Sequence, residues 1–487
     1  MDLKKKIISL LDSIGSSQIT PSPYDTAWVA RLSTIGLPLG FEALEWLRQN
    51  QLADGCWGAE KPIYYHERAI CTLAAVIALA KYGDESDRAR WQKGLVSLEM
   101  TLNRLHTDLM GYTIGFELIF PTLLSEAEEL GILQIQRNGF FKKLMKERDK
   151  KLSRLPTTIN RSMTAAFSSE MVGDDNLHLL NEEKLQQLNG SISYSPSSTA
   201  FYLLHFQPEN EKALDYLHNA AVGGAVPYVT PIEIFEYAWT LWNLSLVDPL
   251  DQVILQHCQP ILDKLEKEWR STMGIASCIG LTLPDGDDTS VTYKVLNHYK
   301  RDVDIEAVLR FERDDHFLCF EYEADPSLST NIHVLAALRQ AKLPIENQSV
   351  QNVLSFLQRS RFADGFWVDK WHASPFYPTC HAIIACSGYI DEFVKDSIEW
   401  ALSSQNEDGS WGYYVPSAEE TSYCIQALSI SRRFGHKVPK QVIRRGVDWL
   451  NDHQEMRLPL WIGKSLYSPE LVVESSVLSA LLLGELL

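Results

Sequence analysis

Apolar residues recur every three or four positions along almost the whole chain, as in Phe41-Glu42-Ala43-Leu44-Glu45-Trp46-Leu47 and Asp396-Ser397-Ile398-Glu399-Trp400-Ala401-Leu402. That period predicts amphipathic helices, and no sustained strand alternation interrupts it. The helical runs lead into similar turns: Gln51-Leu52-Ala53-Asp54-Gly55-Cys56-Trp57, Phe362-Ala363-Asp364-Gly365-Phe366-Trp367 and Gln405-Asn406-Glu407-Asp408-Gly409-Ser410-Trp411. A degenerate fourth copy runs from Val447 to Gln454. The spacing of the last three copies, in the forties, suits one antiparallel helix pair per unit, and such pairs stack into an α/α toroid. In each turn Gly permits a left-handed backbone, Asp and Gln side chains satisfy open helix ends, and Trp packs across the junction. Trp57, Trp367 and Trp411 are therefore expected to be structural.

One turn departs from this pattern. Asp285-Gly286-Asp287-Asp288-Thr289 sits between an apolar stretch and the helical run Val291 to His298. Three carboxylates at one helix entrance do not all ionise cheaply, so at least one is expected to keep its proton at neutral pH. The bland alternative is a simple N-cap. A calcium loop is disfavoured, because the twelfth position counted from Asp285 is Leu296 rather than a bidentate Glu.

Length and charge narrow the classes. A chain of 487 residues buries a large core and divides into two or more domains. Its formal charge of -18, with no Lys/Arg-rich arm, makes nucleic acid an improbable partner. Eight scattered cysteines without a CxxC suggest neither a disulfide framework nor structural zinc, and the chain reads as reduced and cytoplasmic. No signal or transit peptide is evident in Met1 to Leu11. The longest apolar segments, Cys71 to Ala80 and Val477 to Leu487, fall short of the roughly 20 residues a spanning helix needs, which leaves peripheral membrane contact open.

The repeats together with a DxDD element resemble the class II terpene cyclases, the family of diterpene cyclases and squalene-hopene cyclases. Further segments carry the resemblance along most of the chain. Ser22-Pro23-Tyr24-Asp25-Thr26-Ala27-Trp28 is similar to an SxYDTAW entry, Ile114 to Pro121 to a GFExxFP segment, Tyr194 to Ala200 to SPSSTA, and Phe235-Glu236-Tyr237-Ala238-Trp239 to FExxW. Asn331-Ile332-His333-Val334-Leu335 and Asp369 to Pro375 resemble the NxHVL and DKWHxSP segments of the microbial branch. The resemblance implies an all-α double α/α-barrel with a γ domain, residues 37–229, inserted into a β domain made of residues 1–36 and 230–487. The α domain of plant class I enzymes and its DDxxD motif are not seen, so only protonation chemistry is expected.

In that family the central Asp of DxDD protonates the terminal alkene of a polyprenyl chain. The resemblance puts this role on Asp287, with Asp285 and Asp288 tuning it and His333 as its hydrogen-bond partner; a satisfied core histidine is the competing reading of His333. It also puts Ser329 near the acid and Trp239 among the cavity aromatics, with core packing beside Trp242 as the alternative for Trp239. Lys464, in an IGKxLY-like segment, is the main basic candidate for the substrate head group, with Lys294 and Arg68 behind it. The isoprenoid substrate is the expected partner, no cofactor is needed for the chemistry, no resident metal is expected, and Mg²⁺ enters only if the substrate is a diphosphate.

Two departures bear on the head group. The stretch before GFE, His106 to Tyr112, keeps only Asp108 of an EDxxD-like magnesium cluster, and Val472-Val473-Glu474 stands where a VVR segment is expected. A Glu in that place would repel an anionic head. These departures favour a prenylated aromatic substrate, the reaction of the merosterolic acid synthase type, over geranylgeranyl or farnesyl diphosphate giving a bicyclic diphosphate. A noncatalytic isoprenoid-binding toroid is the alternative from another class. A prenyltransferase subunit lacks its zinc ligands here, and squalene cyclases are longer and carry a membrane-docking element that this chain lacks.

Overall fold

A computed structural model describes residues 2–134, 139–153, 155, 157–321, 323 and 325–487. Nearly all regular structure is helical, and the described residues form two large hydrophobic cores with two small clusters beside them. The larger core belongs to a ring. Among the described residues six inner helices follow one another around it: Glu233–Ser245, Gly286–His298, Leu328–Gln340, Phe376–Cys386, Ala418–Arg433 and Glu470–Glu485, the last closing on the first. These helices are buried nearly all round, as in Ala418 to Ser431, whereas outer helices such as Gln348–Ser360 and Lys440–Asp452 bury one stripe only. The helix Leu3–Ser13 packs on the outside of this ring against Glu470–Glu485 and Gln252–Glu268.

The smaller core is centred on the helix Tyr65–Tyr82, buried from His66 to Leu79, and takes in residues from Tyr24 to Val226. The helix Pro23–Ala30 packs here, against Pro38–Gln49, Tyr65–Tyr82 and Pro196–His205. The expected boundary after residue 36 therefore comes too late: Tyr24, Ala27 and Trp28 are part of the inserted core. All eight residues of the helix Pro23–Ala30 are buried, whereas the preceding helix Leu3–Ser13 belongs to the core of the ring.

The repeated turns share one hydrogen-bond scheme. Trp57, Trp367 and Trp411 are fully buried, and each indole N–H donates to the carbonyl ten residues earlier, Leu47, Leu357 and Ala401, at 2.7–2.8 Å. Each Trp backbone N–H donates to a threonine hydroxyl on the next inner helix, Thr72, Thr379 or Thr421, at 3.0 Å. Gln51 and Gln405 bind the loop glycine carbonyl and a carbonyl of a neighbouring segment; Arg361 stands in the equivalent place and donates to the Phe393 carbonyl. Gly55, Gly365 and Gly409 all have φ near +90°, which a side chain would strain. The turns thus clip outer helices to inner ones.

A short hairpin, Trp461–Ile462 paired with Leu466–Tyr467, joins the two assemblies. Its tip residue Lys464 is fully buried, and its ammonium donates to Glu170 at 2.8 Å, Ser195 at 2.8 Å and Ser197 at 2.7 Å. Glu170 also accepts from the Tyr24 and Ser198 hydroxyls. Ser465 lies 2.8 Å from Ser22, which donates to Asp25. The SxYDTAW-like, SPSSTA-like and IGKxLY-like segments thus form one buried polar joint. No described helix is long and apolar enough to cross a membrane.

Removing one partner of a buried, fully bonded pair strands the other. Lys464→Ala is expected to lower the unfolding free energy by about 3–5 kcal/mol, read from urea denaturation at neutral pH. A loss below about 1 kcal/mol would mean that the pair behaves like an exposed one.

Candidate active site

At the seam of the two assemblies lies a cavity of about 250 Å³. Its wall is largely apolar and aromatic, including Phe167, Tyr194, Tyr228, Phe235, Trp371 and Trp461. Asp285, Asp287 and Asp288 line it together. They open the inner helix Gly286–His298, where Asp285 is the N-cap and accepts from the Asp288 amide at 2.7 Å. Gly286 is required by a close approach: a Cβ there would stand 2.3 Å from the Leu318 carbonyl oxygen, and its own amide donates to the Cys319 carbonyl at 2.7 Å.

Asp285 and Asp288 are almost wholly buried. Burial pushes the Asp285 carboxyl up to about 7, against the hydrogen bonds it accepts. Burial, reinforced by the charge of Asp285, pushes Asp288 up further, and its Oδ1 has no hydrogen-bond partner. The sequence-based expectation of a held proton thus falls on these two carboxyls. Asp287 keeps a side-chain exposure of 17% toward the cavity, and its Oδ1 meets His333 Nδ1 at 2.5 Å. His333 lies on the inner helix Leu328–Gln340.

The remaining expected site residues are placed elsewhere. Ser329 donates to Asp369 at 2.8 Å and helps anchor the start of its helix, without contact to Asp287. Trp239 is 2% exposed and lies behind His333, ring centroids 4.9 Å apart and nearly perpendicular, so it buttresses that imidazole rather than lining the cavity. Lys464 is committed to the joint with Glu170. Arg68 holds the first repeat turn through Asp54 at 2.7 Å and the Ala59 and Glu60 carbonyls. Lys294 lies half-buried over the Trp242 ring, and desolvation, then the nearby Arg339, brings its ammonium down to about 7. None of these five lines the cavity, a correction to their expected contact with substrate.

The residues behind the expected head-group preference are also displaced. Glu474 sits outside the cavity lining and pairs with Arg457 at 3.8 Å. Asp108 is used up as a cap, accepting from the Tyr65 and His66 amides and the His66 imidazole at 2.7–3.0 Å. Among the described residues no group of three or more His, Cys, Asp or Glu is disposed to hold a metal ion. The basic side chain that does line the cavity is Arg161, exposed at the rim. Its guanidinium reaches the Gln186 carbonyl at 3.4 Å and no described carboxylate within 4.0 Å. Sequence reasoning passed it over because it lies in an irregular loop outside every motif.

Over residues 317–461 the sequence matches the squalene-hopene cyclase C-terminal domain family. It is 42% identical over 478 residues to the type B diterpene cyclase of Mycobacterium tuberculosis, with 95% of each chain covered. It is 31% identical over 380 residues to the chloroplastic ent-copalyl diphosphate synthase of Pisum sativum, covering 76% of this chain but only 46% of that plant protein. The solved ent-copalyl diphosphate synthase from Streptomyces platensis superposes over all of both chains with a TM-score of 0.80 at 28% identity.

The protonated pair gives a stability prediction with a definite sign. Between pH about 4, where unfolded aspartates ionise, and about 7, the folded chain binds more protons than the unfolded one, so stability falls as pH rises through that window. Replacing both Asp285 and Asp288 by Asn is expected to flatten this fall by on the order of a few kcal/mol, measured by urea unfolding at both ends of the window.

Proposed function

The chain belongs to the class II terpene cyclases, and from that premise we propose that it closes a geranylgeranyl chain carried on a diphosphate into a bicyclic diphosphate, with Asp287 as the acid. The observation that supports this reading is Arg161, a cation without a carboxylate partner at the rim of the cavity that holds Asp287. A diphosphate is the head group such a guanidinium binds through charge-assisted hydrogen bonds. The names of the relatives, diterpene cyclase and ent-copalyl diphosphate synthase, agree. Of the two departures that had favoured a prenylated aromatic, Glu474 stands in an ion pair with Arg457 away from the cavity wall, and Asp108 caps a helix.

The chemistry follows from the groups present. An alkene is a very weak base, so the donor must be a strong acid in a dry site. The Asp287 O–H bond breaks as the terminal alkene's π pair takes the proton. The tertiary cation is attacked by the next alkene, and again, inside a wall that fixes a folded conformation. The faces of Trp461, Phe235 and Tyr228 stabilise the positive charge as it moves. The last cation then loses a proton, so the reaction is an isomerisation that consumes no cofactor, and the diphosphate leaves intact. A proton held on Asp288 spares Asp287 one neighbouring negative charge.

The purified protein is to be given geranylgeranyl diphosphate and, separately, geranylgeranyl dihydroxybenzoate, each with and without Mg²⁺, with products identified by mass spectrometry and NMR. The diphosphate is expected to cyclise and the aromatic to remain unchanged; the reverse would transfer the function to a meroterpenoid substrate. Asp287→Asn is expected to lower kcat by at least about 10²–10⁴-fold with an unchanged melting temperature, and full activity would remove Asp287 from the acid role. Arg161→Ala is expected to raise KM for the diphosphate about 10–100-fold while kcat changes far less. Unchanged KM would remove the head-group assignment.

A further inference from the structure

Behind Asp287 the polar chain continues past His333. His333 Nε2 meets His381 Nδ1 at 2.9 Å, and His381 is carried by the inner helix Phe376–Cys386. The second nitrogen of that ring, His381 Nε2, is buried without a hydrogen-bond partner. Aromatic rings enclose it: Trp242 and Tyr377 with centroids at 4.5 Å and Tyr423 at 5.3 Å, nearly perpendicular. Two hydrogen-bond directions fit the chain. In one, His381 donates from Nδ1 and leaves a bare Nε2 lone pair in this aromatic surround. In the other, the proton sits on Nε2 and Nδ1 accepts from His333; electron-rich rings accommodate an N–H better than a lone pair, which favours this second direction.

We propose that His381 is a positioning residue for the acid: its bare Nδ1 accepts the His333 Nε2–H, so that His333 carries protons on both nitrogens and donates Nδ1–H to Asp287 Oδ1. The proposal rests on Asp287 as the acid. It explains how one carboxyl is made strong enough for an alkene. When the Oδ2–H bond breaks and the proton forms a C–H bond with the alkene, the carboxylate left behind is already paired with an imidazolium. The proton that the last carbocation releases restores the acid, so protons balance over the cycle.

The surrounding charges suit these roles. His333 faces Asp287, with Asp285 and Asp288 in the same turn, and otherwise the uncharged Trp239, Tyr377 and His381. His381 feels Lys294 and His372 as positive neighbours, and Tyr423 across from it donates to Glu419. Burial first, then His333, His372 and Lys294, hold the His381 imidazole neutral, as an acceptor must be. The Lys294 ammonium over Trp242, which touches no part of the cavity wall, thereby acquires an electrostatic part.

The test compares His381→Phe, which fills the ring's space without accepting, with His381→Asn, whose amide oxygen accepts near the Nδ1 position. In His381→Phe we expect kcat to fall about 10–100-fold with KM within about 3-fold, and the alkaline decline of kcat to begin about 0.5–1 pH unit lower. His381→Asn is expected to recover kcat to within about 3-fold of the native value. ¹⁵N-histidine NMR of the substrate-free protein at pH 6 is expected to show His333 protonated on both nitrogens in the native chain and on one in His381→Phe. Native kcat and pH profile in His381→Phe, a kcat loss with an unmoved profile, an Asn variant no better than Phe, or a singly protonated His333 in the native chain would each overturn the proposal. The NMR arm needs no substrate, and activity surviving in Asp287→Asn would overturn the acid assignment instead.

Discussion

The buried contact between Lys464 and Glu170 fixes the geometry on which everything else depends. The cavity exists only where two separately cored assemblies meet, so its shape is set by how they are registered. An apolar seam would tolerate sliding. A dry ammonium whose three N–H groups find Glu170, Ser195 and Ser197 tolerates none, because any displacement leaves a buried charge short of a partner. Ser465 with Ser22, and the Ile114 amide on the Gly463 carbonyl, extend the same joint to the edge of the cavity.

Within the ring, rigidity and reactivity are divided between helix ends and helix interiors. The Trp and Thr contacts of the repeated turns clamp each outer helix to an inner one, which fixes the directions of inner helices whose interiors carry polar side chains. Three consecutive inner helices then bring Asp287, His333 and His381 into one line, although the residues are 46 and 48 positions apart in sequence. Repetition supplies the register: side chains at matching depth on neighbouring helices meet.

The fold was legible because its information is periodic. Helical spacing, the glycine of each turn and its tryptophan are local, and the structure uses them as their chemistry suggested. The acidic turn was legible for the same reason, as was His333 once the family likeness assigned it a place. The charged residues were not. Lys464, Arg68 and Glu474 are neutralised by Glu170, Asp54 and Arg457, partners that no local pattern announces, and Glu170 lies 294 positions from Lys464. Trp239 was a matter of depth: a tryptophan one layer behind the wall has the same sequence environment as one in it. Arg161 shows the converse, since a loop residue facing a cavity leaves no periodic trace.

The connectivity also orders the birth of the molecule. The smaller core is built from one contiguous stretch, Tyr24 to Val226, and every helix it needs is synthesised before the ring's first inner helix. The ring has no such freedom, because Glu233–Ser245 is closed by Glu470–Glu485, against which the early helix Leu3–Ser13 also packs. That first helix is therefore only partly covered, by Gln252–Glu268, until the last one arrives, while the smaller assembly stands ready as the template on which the ring closes.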